Sequence, residues 1–290
     1  MKLIFRLTPY VFRSSFIGFS IDMTRTPSSQ RYNFAIDVIN EAGKIALSYF
    51  SNLSQLKVEK KGHQDLVSEA DKNVEIFIRK QISNQFPDDE IIGEEGGTTH
   101  SKKNNSTGYV WVIDPIDGTA NFVSGIPAWT VVIALVKDSA VYAGFILDPV
   151  QNELFTATAG EGAFCNGQKI SVSGATSLHD GSVAVGFSNR SKNGFINLLI
   201  EQIVADGGVF FRNASGALSL AYVATGRLIG YSEDHMNAWD YLAGQLIVKE
   251  AGGMVEEQNI RDVLENGGRV IASAPAIFSQ LKSFTEKALK

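Results

Sequence analysis

The stretch from Tyr109 to Phe122, YVWVIDPIDGTANF, constrains this chain more than any other, because it places two carboxylates and a hydroxyl close together behind an apolar run. Val110, Trp111, Val112 and Ile113 are β-branched or aromatic and predict a buried strand. The strand should end at Asp114, since Pro115 lacks a backbone donor and resists continuation. Asp117 then falls in the turn. Gly118 lets the backbone turn freely and approach a bound group without a Cβ in the way, and Thr119 opens a helix. Asp114, Asp117 and the Ile116 carbonyl together offer several hard oxygen donors, the set that magnesium prefers over nitrogen or sulfur. Carboxylates crowded in this way are costly to bury unless a cation neutralises them. A capping turn explains the same residues, because Asp-Pro and Asp-Gly are common turn formers. The rest of the chain decides between the two.

With 290 residues, 44% hydrophobic and 20% charged, the chain can bury one large core or two packed halves. Its net charge of −5 argues against a surface that coats nucleic acid. Basic runs such as Lys57 to Lys61 and Lys102-Lys103 read as solvated faces. Cys165 is the only cysteine, which excludes an internal disulfide and any thiolate-rich metal site and fits a reducing, cytoplasmic setting. His63, His100, His179 and His235 lack metal-ligand spacing, leaving oxygen-ligated metals as the plausible choice. Residues 1–28 are basic, partly apolar and unlike the rest of the chain. No run there approaches the ~20 apolar residues that span a bilayer; they are expected to be a disordered extension or to precede the true start, and no membrane association is expected.

Residues 29–290 read as one domain with two characters. Apolar residues recur at helical spacing from Ser28 to Phe50. A short extended piece, Leu56 to Glu59, precedes a second long helix that closes at Pro87 and carries Asp65 and Asp71 at its beginning. For Asp71 alone, a dipole partner in a first helical turn is the simpler reading. Asp89 to Gly93 reads as a strand, and Glu94-Glu95-Gly96-Gly97 as a turn carrying paired acids. Strand-like runs at 129–137, 141–147 and 153–157, with no helices between them, predict an antiparallel meander. The segment GEGAFCNGQK (Gly160 to Lys169) satisfies neither a P-loop nor a dinucleotide pattern and reads as a hairpin. After about residue 170, helices near 193–205, 215–225, 238–251 and 276–290 interleave with strands near 208–211, 228–231, 254–256 and 269–272, an α/β layer. Ala214-Ser215-Gly216 opens one of these helices with free N–H groups and a hydroxyl, either an anion seat or a plain serine cap. Asp240 opens another, which ends at Gly252-Gly253 in a Schellman-type cap.

Glu94, Asp114, Asp117 and Asp240 could therefore meet at strand ends in one cleft. At this point the chain resembles the inositol monophosphatase family, magnesium-dependent and lithium-sensitive phosphatases. The resemblance is carried by DLVSEAD (Asp65 to Asp71), GEE (Gly93 to Glu95), WVIDPIDGTANF (Trp111 to Phe122), GAFCNG (Gly162 to Gly167) and WDYLAGQLIVKEAGG (Trp239 to Gly253), in that order. It implies a layered αβαβα sandwich, an α+β half with the metal site over residues 29–170 and an α/β half over residues 171–290 completing the cleft. It further implies that Glu94, Asp114, the Ile116 carbonyl, Asp117 and Asp240 bind two or three magnesium ions, with lithium inhibiting. Thr119, Asp71 and Glu95 would be catalytic, Thr119 and Asp71 orienting and helping to deprotonate a water. Asp117, Gly118, Thr119, Ala214, Ser215, Gly216, Glu233 and Asp240 would contact substrate, and Lys60 would be a loop lysine near the third metal. The family usually reads Gly-Ser-Ala where this chain has Ala214, Ser215 and Gly216, a departure at the substrate end.

The expected activity is magnesium-dependent hydrolysis of inositol monophosphate or a similar small polyol or sugar phosphate through an activated water. Histidinol phosphate is an alternative substrate, because Glu233 could bind sugar hydroxyls or a substrate ammonium. The resemblance also implies a homodimer and leaves open a role as a transcription or ribosomal-RNA-processing partner, the acidic composition disfavouring direct contact with nucleic acid.

Overall fold

The computed structural model describes residues 30–62, 65–100, 107–188 and 190–290, with the backbone alone for 60–62 and 65–67. The N-terminal extension expected over residues 1–28 lies outside them. Among the described residues fifteen strands form three sheets. β1 (Val58–Gly62) and β2 (Asp65–Ser68) make a small hairpin. The large sheet holds β3 (Glu90–Gly93), β4 (Gly97–Thr99), β5 (Tyr109–Asp117), β6 (Thr130–Lys137), β7 (Ala140–Asp148), β8 (Glu153–Thr158), β9 (Gly162–Cys165) and β10 (Gln168–Lys169), in spatial order β10-β9-β8-β7-β6-β5-β3-β4. From β5 to β10 every pairing is antiparallel, the meander that the sequence predicts. The second sheet orders β12 (Val209–Phe211), β11 (Ser182–Val185), β13 (Gly230–Met236), β15 (Gly268–Ser273) and β14 (Met254–Val255).

Helices α1 (Gln30–Phe50) and α2 (Glu69–Gln85) cover one face of the large sheet. Their Val38, Ile39, Val74 and Ile78 pack with Trp111, Ile113, Ile133 and Phe145. The opposite face, through Val112, Val132 and Ile146, meets α5 (Gly216–Ala224) and α6 (Ala238–Glu250). Those two helices also pack against Ala184, Tyr231 and Val270 of the second sheet. The far face of that sheet is covered by α4 (Phe195–Ala205) and α8 (Phe278–Ala288). The layers are thus helix, sheet, helix, sheet, helix, the αβαβα sandwich implied by the motifs. Alternation explains the two cores: in a pleated strand successive side chains point to opposite faces, and both faces of β5 and β6 are apolar.

Several local expectations change. Strand β5 does not stop at Asp114. It runs to Asp117, but the four residues from Asp114 to Asp117 face only three, Val132 to Thr130, on β6. Pro115 sits in this bulge, where no ladder donor is required. The extra residue reverses the parity of the strand. Ile116 joins Ile113 in the α1–α2 core, and Asp117 turns to the side of Asp114. In the second sheet, β13 is longer than expected and displaced towards the C-terminus, which places Glu233 within a strand. Helix α7 (Ile260–Asn266) has no counterpart in the sequence pattern; Asn259 caps it by accepting from the Arg261 and Asp262 N–H groups at 3.0 and 3.4 Å. The α6 terminus is the Schellman motif expected, with Gly253 N–H donating to Val248 O at 2.9 Å and Gly252 N–H to Lys249 O at 3.0 Å. The hairpin expected at GEGAFCNGQK is β9–β10, turning at Asn166 and Gly167, both with positive φ. Among the described residues no helix is long and apolar enough to cross a membrane.

Helix and sheet come into backbone contact at Gly144 of β7. A Cβ there would lie 2.7 Å from the Ala243 carbonyl oxygen and 2.9 Å from its Cα, backbone atoms of α6 that cannot swing aside. Gly144→Ala should therefore cost about 1–3 kcal/mol, the range for overpacking a well-filled interior, measured as a lower urea midpoint.

Candidate active site

Four backbone segments bring acidic groups to one cavity of about 160 Å³ between α5, α6 and the ends of the sheets, and a fifth, α2, places Asp71 behind it. The bulge of β5 supplies Asp114 and Asp117, and the turn after β3 supplies Glu94. Asp240 enters from α6, where it is the third helical residue and not the first; it closes a capping box by accepting from the Asn237 N–H at 3.0 Å. Glu233 enters from β13. Asp71 is likewise the third residue of its helix, α2, boxed with Ser68.

Burial of these groups next to one another governs their chemistry. Asp114 is 2% exposed, and burial, then the charges of Glu94, Asp117, Asp240 and Asp71, hold its carboxyl well above the usual range. Asp240 is pushed up to about 7 by burial and then by Asp117, against the Asn237 N–H, Arg190 and a hydrogen bond with Asp114. Burial raises Glu233 to about 8, although the Tyr231 hydroxyl donates to its Oε2 at 2.5 Å.

Asp117 is raised by burial but heavily solvated by protein. Its carboxylate accepts from the Ser215 hydroxyl, from the Ala217 N–H at 2.9 Å and from the Gly216 N–H at 3.2 Å. The anion seat anticipated at Ala214-Ser215-Gly216 is thus filled by the chain's own Asp117, while all three residues also line the cavity. Ala214 holds a positive φ of 62°, unusual for a residue with a Cβ. A Cβ on Gly216 would lie 2.3 Å from Met236 Cε, so the methionine occupies the space that the family's alanine would fill.

Gly118, at φ 95°, caps the short helix α3 (Thr119–Val123). The Thr119 hydroxyl lies 3.0 Å from Asp71 Oδ1 and 3.1 Å from the Ile116 carbonyl oxygen, so it donates towards these acceptors and keeps lone pairs for a water. Burial raises the Asp71 carboxyl against its bonds from Ser68 and Thr119. Asp71 stands behind Thr119 and does not itself line the cavity; neither does Glu95, whose N–H is tied to Glu75 Oε2 at 2.8 Å. Lys60 belongs to β1 and not to a loop, and its side chain lies outside the described atoms.

Every donor gathered here is an oxygen, the chemistry of a hard divalent cation. The raised carboxyls are what such a set does in its own company. Among the described residues no three of these side chains converge on a single point, because Asp117 is turned onto the α5 amides and Asp240 onto Asn237. By their donor chemistry the residues fit a hard divalent cation.

The family model for the inositol monophosphatase family matches residues 28–289. The chain belongs to that family. Similar proteins include an inositol-1-monophosphatase of Mesorhizobium japonicum, 35% identical over 260 residues, 89% of this chain and 96% of that protein. The Nus factor SuhB of Pasteurella multocida is 36% identical over 251 residues, 86% and 93% of the two chains. The solved structure of the extragenic suppressor protein suhB from Bartonella henselae superposes with a TM-score of 0.83 at 33% identity, covering 89% of this chain and 99% of that one.

Around this cavity, several contributors are not evident from the sequence reading. Tyr231 shares the face of Glu233 two residues away on one strand, a period-2 signal that could have found it. Glu75 lies one helical turn beyond Asp71 on α2, a charge on a buried face. Phe187, Arg190 and Arg212 reach the cavity from loops and a strand end with no spacing that relates them.

The titration of this cluster sets a pH dependence of stability. Because the folded carboxyls titrate above their unfolded values, the unfolded chain releases protons at lower pH than the folded chain, and stability present in acid is lost as pH rises. In chelator, Tm should fall between pH 5 and pH 8, the window set by Asp240 at about 7 and Glu233 at about 8, and Asp240→Asn should flatten the slope. Ala214→Gly should relieve the left-handed alanine and raise stability by about 0.5–1 kcal/mol, read from urea denaturation, whereas Gly216→Ala should push Met236 towards the cavity and raise KM.

Proposed function

We propose that this chain is a magnesium-dependent phosphomonoesterase acting on inositol monophosphate or a similar small polyol phosphate. The observation that carries it is the crowding of Asp114, Glu94, Asp117 and Asp240, with the Asp114 carboxyl raised by burial and then by its neighbours' charges, beside a Thr119–Asp71 pair. Structural carboxylates are normally paired with cations, whereas the charges acting on Asp114 are those of Glu94, Asp117, Asp240 and Asp71. The small cavity, below the roughly 300 Å³ at which drug-sized pockets begin, supports a compact substrate.

In this reading Glu94, Asp114, Asp117, Asp240 and the Ile116 carbonyl hold magnesium, which when bound lowers the pKa of a water and offsets the charge of the phosphate oxygens. Thr119 Oγ1, donating to Asp71, accepts from the attacking water and fixes its direction. Asp71, with its carboxyl raised by burial, receives the proton. The N–H groups of Gly118 and Thr119 head α3 and face the phosphate. Glu233, steadied by the Tyr231 hydroxyl, takes the substrate's hydroxyls, and Arg212 moderates its charge. The single thiol, Cys165, is pushed up to about 11 by burial, so it takes no part as a nucleophile, and a cytoplasmic setting suits it.

A second reading, a protein-partner role with residual phosphatase activity, is supported by relatives named Nus factor SuhB. Capture of the same partners by wild-type protein and Asp114→Asn would favour it.

The test is phosphate release, with magnesium titrated, across inositol 1-phosphate, histidinol phosphate, fructose 1,6-bisphosphate and glycerol 2-phosphate. The highest kcat/KM is expected on inositol 1-phosphate. Asp114→Asn and Asp240→Asn should lower turnover by orders of magnitude with circular dichroism preserved, and Thr119→Ala by about 10²-fold or more. Wild-type activity in the aspartate variants would refute the assignment.

A further inference from the structure

The turn that carries Glu94 is wrapped around two side chains of α2. Glu75 is 1% exposed. Its Oε2 accepts from the Glu95 N–H at 2.8 Å and its Oε1 from the Gly96 N–H at 2.7 Å. The guanidinium of Arg79, one helical turn on, donates through Nε to the same Oε1 at 2.6 Å, through Nη2 to the Gly97 carbonyl at 2.5 Å and through Nη1 to Thr99 Oγ1 at 3.0 Å. A carboxylate and its counter-charge thus grip the turn from Glu95 to Gly97 and the far end of β4. On the other side, the Glu94 N–H donates to the Ile113 carbonyl at 3.3 Å, next to Asp114.

The spacing of the turn answers to this grip. A Cβ on Gly93 would fall 2.6 Å from Glu75 Oε1 and 2.7 Å from Arg79 Nη2, and one on Gly96 would fall 2.8 Å from both Glu75 Oε1 and Arg79 Nε. The two glycines on either side of Glu94-Glu95 are therefore where the clamp reaches in. Glu94 is held between the clamp and the ladder to β5. A loop residue among repelling carboxylates would otherwise swing outwards, since its charge is driven from Asp114.

We infer that Glu75, with Arg79 as its counter-ion, is a positioning residue that fixes Glu94 against Asp114 and so sets the affinity of the site for its divalent cation. The inference rests on the proposed role of Glu94 as a metal ligand. Glu75 does not line the cavity. Groups that orient metal ligands typically change affinity by about 10–100-fold when altered.

The test is magnesium and manganese binding by calorimetry on the full chain, beside the magnesium dependence of phosphate release. Glu75→Gln keeps the size of the side chain but removes the charge that two N–H groups and Arg79 share. It should weaken both cations about tenfold or more, raise the half-saturating magnesium by the same factor, and lose activity to an extent that shrinks as magnesium is raised. Glu94→Gln sets the scale for loss of a ligand. Gly96→Ala, which leaves Glu75 intact but forces the turn off it, should reproduce the phenotype and provides the decisive variant if Glu75→Gln does not fold. A lower Tm in Glu75→Gln and Gly96→Ala with cation affinity unchanged, while Glu94→Gln loses binding, overturns the positioning role and leaves the metal site standing. Wild-type protein that binds neither cation overturns both.

Discussion

Like charges buried within reach of one another are the constraint on which this structure turns. Asp114 feels burial first and four further carboxylates after it. Left alone, such a group would take up protons or pull the surrounding elements apart. What holds it together is a set of partial positive charges built from the backbone. Asp71 and Asp240 each sit at the third position of a helix whose capping box they close, and Asp117 reaches across to the N-terminus of α5. Three helix N-termini therefore converge on one cluster, each contributing about 0.3–1 kcal/mol of favourable field.

That convergence depends on the layering. Helices α5 and α6 lie between the two sheets, so their N-termini can meet the bulge of β5 only if the central helical layer packs close to the large sheet. Gly144 permits this by admitting the backbone of Ala243. The bulge then does what a regular strand cannot: it puts Asp114 and Asp117 on the same side while leaving Ile116 in the opposite core. Rigidity on both faces of β5, from Trp111 and Ile113 on one and Val112 on the other, keeps the acidic groups at fixed separations in spite of their repulsion.

The composition of this centre is legible in the sequence because its chemistry is local. Asp114, Asp117 and Thr119 lie within one turn of chain, Glu94 succeeds a short strand, and Asp240 heads an apolar helix, all readable from spacing and residue type. The differences between expectation and structure are of another kind. Pro115 reads as a strand end because a proline ends a ladder unless a bulge absorbs it, and the bulge is a property of the pairing with β6. Ser215 and Gly216 read as a seat for an outside anion, and the structure gives that seat to Asp117, 98 positions from Ser215. Glu95 looks equivalent to Glu94, yet its N–H is bound to Glu75 and only Glu94 lines the cavity. Helix α7 is too short to show a period.

From residue order alone came the oxygen-only donor set, the meander, the alternation of helices and strands in the second half, and the family resemblance, because each depends on neighbours within about a dozen residues or on motif spacing. Only tertiary structure decided which carboxylates face one another, which of them are solvated by helix amides, and which turn is clamped by Glu75 and Arg79. Those outcomes are set by the parity of one bulged strand and by close approach between layers, and both depend on partners far apart in the chain.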